Sequence, residues 1–172
     1  RIYPLMRVTL TTSDGASVTV SRQLTKHSGF IEKAITDMAV DDNAVPLSAV
    51  AVDVDDATLK LVIEWLTEHR DDALPYPEKT DEERRADDIP AWDQAFVQKW
   101  DTKEDQQQTL YAVITAADKL DIKGLLDMTC KTLANKINGK TVEEMREILQ
   151  LECDFTEEEL AEIRKENAWC EN

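Results

Sequence analysis

Residues 8–20 have the sequence Val-Thr-Leu-Thr-Thr-Ser-Asp-Gly-Ala-Ser-Val-Thr-Val, which is the clearest fold signal in this 172-residue chain. Apolar and polar residues alternate on both sides of Asp14-Gly15, and an Asp-Gly pair favours a tight β-turn. Alternation of this kind is typical of strands with one buried face. The stretch therefore predicts a two-stranded β-hairpin.

After the hairpin, helical and extended patterns follow each other. Apolar residues at helical spacing predict one helix over residues 30–38 and another over residues 59–66. Val45–Leu47 lies between them and is short and extended enough for a third strand. Asp55 or Asp56 can cap the second helix. The predicted order is hairpin, helix, strand, helix.

Residues 71–88 differ sharply in composition from the segments around them. They hold eight acidic residues, three basic residues and two prolines, with Leu74 as the only aliphatic residue larger than alanine. Such a segment cannot bury enough apolar area to offset its loss of chain entropy, so we expect a mobile loop. Regular structure should resume at residues 89–92.

From residue 106 onward the apolar pattern is almost entirely helical. A long apolar stripe covers residues 122–137, and Asn138-Gly139 is a helix stop signal. Thr141–Glu144 and Thr156–Glu159 each match the capping box, in which threonine and glutamate satisfy each other's backbone amides. These signals predict two short helices at the end of the chain.

Charge and cysteine content exclude several classes of protein. The chain has 36 acidic and 20 basic residues and a net charge of −16, which repels the phosphate backbone of nucleic acids. No apolar run approaches the roughly 20 residues needed to span a bilayer, so we expect neither nucleic-acid nor membrane partners. Cys130, Cys153 and Cys170 form no Cys-x-x-Cys pair, which favours a reducing compartment.

The residues that could support catalysis are few. His27 and His69 are the only histidines, and their polar neighbours predict solvated surface side chains. Cys130 lies on an apolar stripe and is expected in the core. The acidic run Asp53–Asp56 lacks the third ligand and the glycine of a calcium loop, so capping is the preferred interpretation. With four glycines in all, no phosphate-binding loop can form; we expect no enzyme activity, cofactor or metal.

The end of the chain poses a packing problem. Its short helices have several apolar faces, and Trp169 lies close to the terminus with no later element to cover it. The tryptophan either packs back onto its own domain or contacts a partner, since aromatic anchors are enriched at interfaces.

Seven ordered segments resemble the S-phase kinase-associated adaptor family, the F-box-binding subunit of SCF (cullin–RING) ubiquitin ligases. Together they run across nearly the whole chain, and the ordered set is far more specific than any one member. The segments are Thr12–Gly15, Val45–Leu47, Asp87–Gln94, Leu120–Asp127, Thr129–Thr132, Asp154–Glu159 and Arg164–Glu171.

The resemblance implies an α/β (α+β) fold, a POZ (BTB-like) domain with a small β-sheet and helices, followed by a C-terminal helical extension that binds F-box proteins. The expected segments are a POZ-like part over 1–70, the acidic loop over 71–88, the remainder of the POZ-like domain over 89–126, and the extension over 127–172. We expect a non-catalytic adaptor, cytoplasmic and nuclear, that joins F-box substrate receptors to the cullin scaffold.

The resemblance also implies the binding residues. The F-box side is expected to use Leu125, Leu126, Thr129, Cys130, Leu133, Ile137, Met145, Ile148, Leu149, Phe155, Ile163, Asn167 and Trp169. Some of these side chains can instead be buried within the adaptor itself, and Leu126 and Phe155 are the most open cases. Without an F-box partner, we expect a homodimer.

Three departures from the family pattern bear on function. Asp118-Lys119 replaces the Asn-Tyr that family members usually carry in a region implicated in cullin contact, which removes apolar contact area and leaves cullin binding open. Residues 98–107 form an apparent insertion nearby, for which a surface loop is the preferred interpretation. Val142 stands where many members have proline. The alternative function is a divergent paralogue that binds F-box-like partners or self-associates as a structural protein without cullin.

Overall fold

The computed structural model describes residues 7–38, 49–74, 76, 77, 80, 88–100 and 106–170. These residues form three strands, eight α-helices and two 3₁₀ turns. In chain order they are β1 Arg7–Thr11, β2 Ser17–Ser21, α1 Arg22–Thr25, α2 Gly29–Met38, β3 Val50–Ala51, α3 Asp56–Glu68, a 3₁₀ turn at His69–Asp71, α4 Ala91–Trp100, α5 Gln106–Lys119, α6 Lys123–Ile137, α7 Val142–Ile148, α8 Glu157–Glu166 and a 3₁₀ turn at Ala168–Cys170.

The predicted hairpin is confirmed. β1 and β2 pair antiparallel, with Val8 opposite Val20 and Leu10 opposite Val18, and β3 pairs parallel to the other edge of β1. Gly15 closes the turn at φ 86°, a left-handed backbone that glycine adopts without a steric penalty. The strand predicted at Val45–Leu47 lies outside the described residues.

The chain divides into two compact units. The first extends to Asn135 and contains the sheet, α1 to α5 and most of α6, whereas the second begins at Lys136 and contains α7 and α8. The sequence predicts that the C-terminal helical extension begins at residue 127. The two units divide after Asn135, so most of α6 belongs to the first unit. The described residues combine a small sheet with eight α-helices, which confirms the predicted α/β (α+β) class.

The core of the first unit forms where the sheet meets the central helices. Val62 on α3, Val113 on α5 and Leu125 on α6 have no exposed surface. Each follows the helical apolar spacing that predicted these elements. Asp55, rather than Asp56, is the N-cap of α3, and its carboxylate accepts a hydrogen bond from the Thr58 amide at 2.9 Å.

The start of α2 is hydrogen-bonded to the turn between α5 and α6. The Gly29 amide donates to the Asp121 carbonyl at 3.1 Å, and the buried Ser28 hydroxyl donates to the Leu120 carbonyl. Asp121 has φ 49°, a left-handed conformation that is rare outside glycine. A Cβ atom at residue 29 would overlap the Asp121 carboxylate, so a larger residue here requires that side chain to move.

The acidic segment begins with ordered contacts. His69–Asp71 forms a 3₁₀ turn, and the Tyr76 hydroxyl donates to Asp127 at 3.3 Å. Most of the predicted mobile loop, residues 75, 78, 79 and 81–87, lies outside the described residues. The predicted restart of regular structure near residue 89 is confirmed, because α4 begins at Ala91.

The apparent insertion at residues 98–107 is partly helical. Residues 98–100 complete α4 and residues 106–107 begin α5, while residues 101–105 lie outside the described part. Trp100, expected on a surface loop, instead packs on the core, and its ring meets Phe96 edge-on with the centroids 5.9 Å apart. In the part of the chain that the structure describes, no helix combines the length and apolar character that crossing a membrane requires.

Candidate protein-interaction site

The core-facing side of α6 includes two residues that the resemblance assigned to F-box binding. Leu125 and Thr129 are completely buried, and the Thr129 hydroxyl donates to the Leu125 carbonyl at 2.8 Å. That hydrogen bond lets a polar side chain occupy the core without an unsatisfied group. Neither side chain is accessible to a partner, so we remove both from the predicted binding set.

The other side of α6 is available for contact. Leu126 and Leu133 are half-buried, and Leu126 packs partly against the core. Cys130 is exposed, and its predicted place in the core is wrong, because Met128 and Thr132 fill the adjoining buried positions. Partial burial, aided by the Asp127 charge, raises the pKa of the Cys130 thiol, which keeps it protonated and unreactive.

The second unit is framed by two capping boxes, and both predictions are confirmed. The Thr141 hydroxyl accepts from the Glu144 amide at 3.2 Å, and Glu144 accepts in return from the Thr141 amide at 2.8 Å. Thr156 and Glu159 repeat the arrangement at the start of α8. These bonds join residues within one turn, so they are local signals for where α7 and α8 begin.

The apolar residues of the second unit are all accessible. None of its described side chains, from Lys136 to Trp169, is buried. Ile137, Met145, Ile148 and Leu149 are half-exposed, whereas Phe155, Ile163, Asn167 and Trp169 are exposed, Trp169 to 77%. A large apolar side chain this exposed has little to gain from the fold of its own unit, so such residues indicate contact with another surface.

Polar contacts hold the second unit in shape. Arg164 on α8 donates to Glu143 on α7 at 3.0 Å, and that hydrogen bond lowers the pKa of Glu143. The Arg146 guanidinium lies over the ring of Phe155 at 5.8 Å, and the Asn167 side chain caps the Ile163 carbonyl at 2.9 Å. The apolar side chains are therefore presented on a polar framework.

Asp118 and Lys119 lie at the exposed end of α5 in the first unit. Asp118 is exposed and Lys119 binds back onto the domain, its ammonium lying 2.6 Å from the Asp53 carboxylate and 3.1 Å from the Asp53 carbonyl. Lys119 also borders a surface cavity of about 340 Å³, which Tyr111 lines as well. The lysine is thus tethered rather than fully hydrated.

Comparison with known proteins supports the predicted family. The model described as "Skp1 family, tetramerisation domain" matches residues 6–71, and the one described as "Skp1 family, dimerisation domain" matches residues 123–170. A relative from Talaromyces stipitatus, named E3 ubiquitin ligase complex SCF subunit sconC, is 40% identical over 96% of this chain and 98% of its own length. The chain belongs to the Skp1 family.

Proteins of the same name from Neosartorya fischeri and Aspergillus fumigatus are each 42% identical to this Skp1-family chain, over 95% of it and 98% of their own length. The relatives therefore match the first and second units together rather than either one alone. The POZ-like fold inferred from the resemblance is confirmed by the match to residues 6–71.

One polar cluster of this Skp1-family chain escaped the sequence analysis. His69, predicted on the solvated surface, is instead mostly enclosed, with its side chain 16% exposed and its ring stacked on Trp65 at 4.0 Å between centroids. Its nitrogens face Asp72 and Asp93, and Asp93 is itself buried and accepts from the Trp65 indole at 2.9 Å. The spacing of Trp65 and His69 by one helical turn was the available signal.

Proposed function

We propose that this chain is a non-catalytic adaptor that links F-box proteins to the cullin of an SCF-type ubiquitin ligase. The observation that carries the proposal is the second unit, whose apolar side chains are exposed on capped helices with none of the described ones buried. Near-full-length similarity to proteins named as SCF subunits gives the partner class.

The adaptor acts by bringing reactants together. A substrate receptor and a scaffold held on one protein raise the effective concentration of substrate near the ubiquitin-conjugating machinery. The described residues fit this role, because the exposed Cys130 has a raised thiol pKa and is not activated as a nucleophile. The histidine with the best hydrogen-bond partners, His69, has both ring nitrogens engaged by carboxylates of its own unit.

The F-box surface we propose follows the predicted set without its two buried members. In the first unit its residues are Leu126, Cys130 and Leu133, and in the second they are Ile137, Met145, Ile148, Leu149, Phe155, Ile163, Asn167 and Trp169. Trp169 is the strongest candidate for an anchor, because tryptophan dominates binding energy where an interface desolvates it fully. The accessible surface of every one of these residues supports the assignment.

Cullin contact is proposed at the exposed end of α5, around Asp118 and Lys119. Binding there has to displace or accommodate the contact of Lys119 with Asp53, which is exposed and therefore weak. Tyr111, 37% exposed beside the same cavity, adds aromatic surface that is accessible to a partner.

The test is light-scattering chromatography of the adaptor in a preformed complex with an F-box domain, mixed with the N-terminal domain of a cullin. A ternary peak supports the proposal. A binary peak beside free cullin would overturn the cullin half and favour a paralogue that serves in assembly. Lys119→Tyr, which restores the usual family residue, should tighten cullin binding, while Lys123→Tyr on the neighbouring helix is the control.

We also propose that the chain forms a homodimer when no F-box partner is present. The exposed apolar side chains of the second unit support this state, as does the match of residues 123–170 to a family model described as a dimerisation domain. Light scattering should give a dimer mass for the chain alone and a one-to-one complex once an F-box domain is added. We further propose a cytoplasmic and nuclear location, which imaging of a tagged protein in cells would check.

A further inference from the structure

His69 has a carboxylate at each of its ring nitrogens. Its Nδ1 lies 2.7 Å from Asp72 Oδ2, and its Nε2 lies 3.1 Å from Asp93 Oδ1. A neutral imidazole has one N–H and one lone pair, so it can donate to only one of two ionised carboxylates. Only the imidazolium, with two N–H groups, satisfies both contacts.

The buried carboxylate of Asp93 is stabilised by the positive charge on His69. The Asp93 side chain is 4% exposed, and its Oδ1 accepts from both the Trp65 indole and His69. A buried carboxylate that loses its counter-charge bears a large desolvation penalty. When His69 is neutral, its single N–H reaches only one of the two carboxylates, and in either tautomer Asp93 loses the positive charge that faced it.

The ring also joins two helices. His69 follows α3 directly and stacks on Trp65 of that helix, whereas Asp93 and Trp92 belong to the first turn of α4. The edge of Trp92 meets the imidazole with the centroids 5.7 Å apart. The Trp65 indole also joins the two helices by donating to Asp93, and the exposed ion pair of Lys99 with Glu64 contributes little by itself.

The surroundings of His69 contain charges of both signs. It borders a cavity of about 340 Å³. The turn after α1 contributes Lys26 and His27 to the lining. The turn before α6 contributes Asp121, and α6 contributes Lys123, Asp127 and Lys131. Asp88, just before α4, completes the charged lining. Burial alone lowers the pKa of His69, but the hydrogen bonds and charges of Asp93 and Asp72 outweigh it, and the pKa is raised from 6.5.

We propose that His69 is a proton-dependent latch that holds the first turn of α4 against the end of α3. With the proton bound, the ring bridges Asp72 and Asp93 and closes one wall of the cavity. When the proton leaves, one carboxylate faces a nitrogen lone pair, the bridge weakens and that wall loosens. The raised pKa gives the direction: the stabilisation is complete below about 6.5 and is lost as the pH rises through the folded-state value.

Nuclear magnetic resonance on the full chain tests the latch. The histidine ring signals are followed from about pH 5 to about pH 9 while amide-exchange protection factors are measured in α4. We expect the His69 ring to titrate above 6.5 and α4 protection to fall in step, by up to about tenfold for each unit of pKa elevation. A His69 pKa at or below 6.5 would overturn the proposal. So would amide-exchange protection in α4 that does not change as His69 titrates.

Three variants separate the latch from a general loss of structure. His69→Gln should remove the pH dependence of α4 protection, whereas His27→Gln, at a histidine with no described carboxylate partner, should keep it. Asp72→Asn changes an exposed partner, so the fold survives even where His69→Gln does not, and it should lower the His69 pKa. An unchanged His69 pKa in Asp72→Asn would contradict the bridge directly.

Discussion

The two units of this Skp1-family adaptor use apolar residues in opposite ways. In the first, large side chains such as Phe96 and Leu120 are enclosed almost completely, and the fold draws its stability from them. In the second, Phe155 and Trp169 are exposed, and the helices are held by capping boxes and the ion pair of Arg164 with Glu143. The first unit therefore buries most of its large apolar side chains, while the second leaves its own accessible, as the proposed F-box contact requires.

The largest expected effect compares two phenylalanines. Phe96→Ala, in the core of the first unit, should lower the free energy of unfolding by about 3–5 kcal/mol. Phe155→Ala, at a ring 45% exposed in the second unit, should lower it by less than about 1 kcal/mol. Urea unfolding followed by far-ultraviolet circular dichroism measures both. Equal losses would end the distinction between the units.

Trp169→Ala should separate binding from folding. We expect it to weaken F-box binding by about 2 kcal/mol or more, because a tryptophan anchor dominates the interfaces that bury it. Unfolding of the free protein should hardly change, since the side chain is 77% exposed. Isothermal titration calorimetry with an F-box domain gives the affinity, and Leu74→Ala, at an exposed apolar residue of the first unit, is the matched control. A loss under about 0.5 kcal/mol would remove Trp169 from the anchor role.

The capping boxes allow a test of how the second unit keeps its shape. Thr156→Ala removes the acceptor for the Glu159 amide and should destabilise α8 by about 1 kcal/mol. Thr156→Ser retains the hydroxyl and serves as the control. Amide exchange within α8 is the measurement. Protection that is the same in both variants would mean that contacts other than the cap determine where α8 begins.

Acid should affect the same cap. The Thr156 amide and hydroxyl donate to Glu159 and lower the pKa of its carboxyl from 4.5. The cap is thus fully formed above about 4.5 and is lost as the pH falls through the lower folded-state value. Helix signals from α8 should weaken over that range, and Glu159→Gln should reduce this pH dependence.

Salt gives the smallest expected effect. At a net charge of −16, two copies of the chain repel each other, and added salt screens that repulsion. The homodimer should therefore tighten between low and high salt, as analytical ultracentrifugation would detect. A dimerisation constant that does not change with salt would show that charge repulsion between the two copies does not weaken the dimer.

The sequence predicted the fold well where the structure depends only on residues that are close together in the chain. The Asp14-Gly15 turn and the two Thr-x-x-Glu boxes each need only neighbouring residues, and all three appear as expected. Residues 122–137 were harder, because apolar residues occupy more than one face of α6. Thr129 and Thr132 take core positions that apolar spacing assigns to others, since their hydroxyls are satisfied by backbone carbonyls of the preceding turn.

The His69 cluster shows what the sequence could not reveal. Its neighbours along the chain are polar, which is typical of a solvated histidine. The partners that enclose it come from a helix more than twenty residues away, in Trp92 and Asp93. The binding set has the same difficulty, because similarity to a family assigns Leu125 and Trp169 alike, and only the fold shows that one is buried and the other exposed.

The contact between Gly29 and Asp121 also affects which substitutions this chain can accept during evolution. Any side chain at residue 29 meets the Asp121 carboxylate, while residue 121 keeps a left-handed backbone that glycine would adopt more easily. Gly29→Ala alone therefore requires the Asp121 side chain to move, whereas Gly29→Ala combined with Asp121→Gly removes the overlap. The two positions, 92 residues apart, are therefore coupled: the effect of a substitution at residue 29 depends on which side chain residue 121 carries.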